Sequence, residues 1–69
     1  MTVYRVTEII GTSKTSWEDA AREALKAAAG SLRELRVAEV VELDIALGAK
    51  GDIDTFRAKL RVSFKYDPS

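Results

Sequence analysis

Residues 35–47, LRVAEVVELDIAL, and residues 53–66, IDTFRAKLRVSFKY, both alternate between two parities, and only GAKGD separates them. Successive side chains of a strand point to opposite faces, so alternation of this kind marks sheet rather than helix. In the second stretch Phe56, Ala58, Leu60, Val62, Phe64 and Tyr66 form an apolar parity, while Arg57, Lys59, Arg61, Ser63 and Lys65 form the other. In the first, Leu35, Val37, Val41, Leu43, Ile45 and Leu47 share a mostly apolar parity to which Glu39 is the exception. Arg36, Ala38, Val40, Glu42, Asp44 and Ala46 hold the opposite parity. Gly48 to Asp52 has turn composition. A long hairpin is expected, an acidic strand beside a basic one. Cross-strand pairs such as Glu42 with an Arg or Lys are then available, worth about 0.2–1 kcal/mol each.

Upstream, TVYRVTEII at residues 2–10 is β-branched and alternating, and reads as a further strand. Both of its parities are partly apolar, which predicts cover on both faces. GTSKTS, residues 11–16, reads as a polar loop. Ser16 is a good helix N-cap, with Asp19 three residues on as in a capping box, and Glu18 and Asp19 suit the positive end of a helix dipole. From Trp17, Ala20, Ala21, Ala24, Leu25, Ala28 and Leu32 follow helical spacing. Six Ala between residues 20 and 29 favour the helix and permit close packing on a sheet. Gly30 is a plausible stop, with continuation to about Leu32 as the alternative. The order is β-α-β-β. The expected class is α+β, with a three-stranded antiparallel sheet and one helix covering one of its faces.

At 69 residues the chain is read as one domain, 1–69, and a domain this small buries little surface alone. With no Cys and no His, disulfides are excluded and a zinc site nearly so, which leaves oligomerisation as the source of further burial. Lys plus Arg equals Asp plus Glu at 11 each, which argues against general nucleic-acid binding, since that needs surplus cations. No apolar run approaches the roughly 20 residues of a membrane span. The first ten residues lack the charged start and apolar block of a signal peptide, so a cytoplasmic location is the default.

Without His or Cys the common nucleophile-and-base arrangements are missing, and no enzyme is expected. Glu42 and Asp44 share a parity and offer hard oxygen ligands suited to Ca²⁺ or Mg²⁺. The plainer reading is that they pair with the basic strand beside them. Glu39, of opposite parity, should point to the other face. A bulge that flips it outward, or a partner in Arg36 or in a basic residue of a neighbouring subunit, would account for it. Trp17 reads as a packing anchor before a stacking surface for a planar ligand. The 11–16 loop leads into a helix N-terminus but lacks the glycine pattern of a phosphate loop. Arg57, Lys59 and Arg61 offer an alternative site for an anion.

The words VYRVTEIIGTS, SWEDAAREAL, LRVAEVVELD and FRAKLRVSFKY together resemble the dodecins over essentially the whole chain. The resemblance implies a small cytoplasmic protein that assembles as a hollow homododecamer, its antiparallel sheet partly wrapped around the helix, and that stores or sequesters a ligand without catalysis. Flavin-storing dodecins carry a Trp on the second strand that stacks on the flavin ring; here the word reads VAEV, with Val37 in that place. They also carry a Gln after an aromatic on the third strand; here Arg57 follows Phe56. Val37 and Arg57 thus stand at flavin-contact positions with both contacts departed. The overall pattern is more similar to the calcium dodecins, which implies a calcium-binding assembly, with Glu42 and Asp44 as the metal candidates. Symmetry gathers copies of one carboxylate into a ring that no single chain encodes. Flavin sequestration through altered contacts, with Arg57 on a phosphate or carbonyl, is the alternative.

Overall fold

The computed structural model describes residues 2–31 and 34–66. Its elements are β1 (Tyr4–Ser13), α1 (Trp17–Ala29), β2 (Leu35–Leu47) and β3 (Ile53–Lys65). The three strands form one antiparallel sheet in the order β1-β3-β2, which places the basic strand in the centre and leaves β1 and β2 as edges. The expected β-α-β-β order and the long hairpin are both present. The sheet is drawn out, and the chain measures 52 × 19 × 16 Å.

The helix begins where its cap chemistry dictates. Ser16 is extended, and its side chain accepts the Asp19 N–H at 3.0 Å. The return arm of a capping box is replaced: the Asp19 carboxylate accepts from the Ser13 hydroxyl at 2.7 Å, and Ser13 Oγ accepts the N–H groups of Thr15 and Ser16. Ser13 is therefore a buried hub joining strand end to helix start. The helix stops at Ala29. Gly30 caps it in a right-handed conformation, its N–H donating to the Ala27 carbonyl at 3.2 Å while the Ser31 N–H donates to the Ala28 carbonyl at 3.0 Å. The alternative end at Leu32 lies outside the described residues.

One helix face, Ala20, Ala24 and Ala28, is buried; Ala20 and Ala24 pack with Ala58, Leu60 and Val62 of β3, and Ile9, Ala21, Leu25 and Leu35 pack around them. The short Ala side chains let the helix lie close, and β1 runs on under it through Gly11 to Ser13 rather than ending in the expected loop after Ile10. Helix cover reaches β1 and β3 but little of β2. Val40 and Leu43 face the helix side, opposite Leu60 and Ala58, yet are 54% and 48% exposed. The expectation of cover on both faces of β1 also stops short within one chain, since Tyr4, Val6 and Ile10 are exposed on the face away from the helix.

The hairpin turn is closed by Gly48 N–H on the Asp52 carbonyl at 2.7 Å and Gly51 N–H on the Gly48 carbonyl at 3.0 Å. Gly51 has φ of 81°, where a side chain would be strained.

Candidate functional site

Strand β2 does not alternate evenly along its length. Its register against β3 shifts between Leu35 and Val37, between Val40 and Glu42, and between Ala46 and Leu47. Each extra residue inverts the parity that follows it. Val37, Glu39, Glu42 and Asp44 consequently all oppose residues of the basic parity of β3, namely Ser63, Arg61, Lys59 and Arg57. This corrects the expectation that Glu39 and Glu42 point to opposite faces: the irregularity at Val41 brings them to the same one. Val37 likewise leaves the parity of Leu43 and Ile45 and joins the acids on the face away from the helix.

That face is a set of rows across three strands. Glu8, Arg61 and Glu39 form one row, Ile10, Lys59 and Glu42 the next, and Thr12, Arg57 and Asp44 the third. Arg61 holds both flanking acids, Glu8 at 3.0 Å and Glu39 at 3.5 Å. Glu39 thus has its partner on the adjacent strand of its own chain, while Arg36 pairs with Glu34 at 3.8 Å.

The two candidate metal ligands are held unequally. Asp44 takes Arg57 on both oxygens, Nε at 2.7 Å on Oδ1 and a terminal nitrogen at 3.4 Å on Oδ2. The hydrogen bond that Arg57 donates to Asp44, then the charge of that carboxylate, raise the Arg57 guanidinium above its already high pKa, so this cation stays charged at any ordinary pH. Glu42 has a looser tether. Its nearest cation is Lys59 Nζ at 3.9 Å, beyond hydrogen-bond distance, and its side chain is 60% exposed. The pairing of these acids with the basic strand is therefore real, but it is firm at Asp44 and loose at Glu42.

The donor set suits a hard cation in kind, because carboxylate oxygens are what calcium takes. It falls short in number, since among the described residues no three acidic side chains converge within one chain. Glu42 would act as one ligand of a set completed by other copies or by water. For a flavin the fit is poorer. Val37 offers no ring face and is 63% exposed, and Arg57 is already engaged by Asp44.

Trp17 lies on the other side of the sheet from these acids. Its Nε1–H donates to the Asp44 main-chain carbonyl at 3.0 Å, and its ring meets Phe56 edge-on at 5.2 Å. It ties the helix start to both strands of the hairpin, as the anchor reading requires. Beside it Glu18, Ala21, Val40 and Leu43 line a largely apolar recess. Sequence reasoning missed this recess, because even alternation does not reveal how far across a sheet one helix reaches.

Comparison with known proteins places these features. The Dodecin family profile matches residues 3–67. Calcium dodecin from Mycobacterium tuberculosis is 54% identical over all of this chain and 96% of its own length. The crystal structure of that calcium dodecin, described as calcium chelating with a novel calcium-binding site, superposes with a TM-score of 0.85 at 55% identity, covering 97% of this chain and 94% of the other. Dodecin from Streptomyces davaonensis superposes at 0.88 with 35% identity over 96% of each chain. With profile, sequence and strand topology in agreement along almost the whole chain, the protein belongs to the dodecin family.

Proposed function

We propose that this protein is a non-enzymatic binding and storage shell, a hollow homododecamer of this single-domain chain in the cytoplasm, whose ligand is calcium or a similar hard cation. The observation that carries the reading is Glu42: an exposed, loosely tethered carboxylate on a sheet face, in a chain 54% identical to a calcium dodecin. Glu42 is the first ligand and Asp44 the second candidate, with the set completed by symmetry copies. Assembly is supported by the bare apolar stripe of Val40, Leu43 and Ile45 on β2, which one helix leaves uncovered. Flavin sequestration is the weaker reading, for want of a ring face at Val37 and a free cation at Arg57.

Calorimetric titration of Ca²⁺ into chelator-treated protein tests the ligand, with binding at sub-millimolar metal expected and its loss in Glu42→Gln. No heat at millimolar metal would reject the cation reading. Riboflavin or FMN fluorescence that falls steeply at micromolar protein would favour the flavin reading instead. Sizing by light scattering tests the shell, and a monomer would reject it.

A further inference from the structure

The cations of β3 differ in how they hold the acids of β2, and the difference has a direction. Arg57 occupies both oxygens of Asp44 with directed hydrogen bonds. Lys59 approaches Glu42 without forming one, at 3.9 Å, and is itself 36% exposed along its side chain. An ammonium at that distance is a tethered counter-ion: it lowers the local negative charge, and it can swing away on its long stem when a competitor arrives.

We infer that Lys59 regulates cation occupancy at Glu42 as a built-in competitor, while Arg57 withholds Asp44 from the metal. The inference rests on the cation reading above and adds to it which side chains set the affinity and which of two acids is open. A hard cation at Glu42 displaces the Lys59 ammonium from the carboxylate and is repelled by it afterwards. Removing that charge relieves both effects. A unit charge about 4 Å away in a wet environment is worth about fivefold in an equilibrium constant, and more for a divalent ion. Arginine at the same place presents a planar fork that grips carboxylates with directed bonds, so it tightens the competition. Ile10, the other neighbour of Lys59 in its row, brings no charge, so no second acid shares the hold on this ammonium from β1.

Calcium titrations on the chelator-treated, assembled protein and its Lys59→Gln, Lys59→Arg, Arg57→Gln and Glu42→Gln variants test this. Lys59→Gln is expected to bind at least about fivefold tighter than the parent, and Lys59→Arg several-fold weaker. Arg57→Gln should gain less than Lys59→Gln. Because the two Lys59 variants shift in opposite directions, either alone decides the matter should the other fail to assemble. Parent affinity in the Lys59 variants, with Glu42→Gln still abolishing binding, overturns the inference and leaves the cation reading standing. A larger gain in Arg57→Gln than in Lys59→Gln also overturns it, because it makes Asp44 the acid that the cation row controls. An absence of binding in every protein removes the cation reading and the inference together.

Discussion

Gly11 lies so close beneath the helix that a Cβ added to it would stand 2.1 Å from the Ala20 carbonyl oxygen and 2.8 Å from the Ala24 side chain. The first of these neighbours is backbone and has no freedom to turn aside. Gly11→Ala is therefore expected to force the helix off the sheet and to cost about 3 kcal/mol, the upper part of the overpacking range. Urea unfolding at fixed protein concentration measures it, because the apparent stability of any chain that oligomerises depends on concentration. A loss below about 0.5 kcal/mol would mean the helix has another seat on the sheet.

Ser13 joins three groups at the end of β1, donating to Asp19 and accepting from Thr15 and Ser16. Ser13→Ala removes three part-buried hydrogen bonds, leaving the Thr15 and Ser16 N–H groups and the Asp19 carboxylate short of a partner. The expected cost is about 1–3 kcal/mol, from three hydrogen bonds each worth about 0.5–1.5 kcal/mol net and offset in part where water reaches the freed groups. Ser16→Ala, which removes only the cap on the Asp19 N–H, should cost about 1 kcal/mol. Equilibrium unfolding of both variants checks the order, and a larger loss from Ser16 would reverse the account of which serine is the hub.

Trp17 contributes a hydrogen bond and an aromatic contact to one anchor. Trp17→Phe keeps an aromatic beside Phe56 and gives up the bond to the Asp44 carbonyl, so about 1 kcal/mol is expected. Trp17→Ala also vacates the ring's volume and should cost about 3–5 kcal/mol. Thermal unfolding followed by near-ultraviolet circular dichroism reads both. Equal losses would show that the hydrogen bond carries the anchor and the ring does not.

Most of the fold was legible in the chain because it rests on local chemistry. Ser16 and Gly30 bounded the helix, GAKGD marked the turn, and the strict alternation of β3 matched its central place between two strands. The candidate site was legible as residues but not as a surface. Alternation was carried evenly through LRVAEVVELDIAL, while the strand shifts register after Val40. The sign was present in Glu39, an acid out of parity, and in the Val40–Val41 pair that follows it, two apolar neighbours that regular alternation would send to opposite faces. A bulge is decided by how a strand pairs with its neighbour, so single-strand periodicity records only its trace. The path of β1 beneath the helix was hidden for a different reason. Gly11 and Ser13 have turn-like composition, but here glycine provides clearance and serine provides a buried hydroxyl.

Arg61 spans the sheet between Glu8 on β1 and Glu39 on β2, and it is the one described β3 cation with an ion pair on each side. Its side chain is half exposed, so each pair lies in the weak range of surface ion pairs, and their sum is expected near 1 kcal/mol at low salt. Arg61→Ala also leaves two like charges on one face, which adds a small repulsion of the same sign. Both contributions are screened by salt, so the loss should shrink by about half or more between 10 mM and 1 M sodium chloride. In a double-mutant cycle Glu8 should couple to Arg61 more strongly than Glu39 does, since its contact is shorter by 0.5 Å, 3.0 against 3.5 Å. A cycle in which Glu39 couples more strongly would mean that the register shift after Val40 aims Glu39 at Arg61 more firmly than the distances convey.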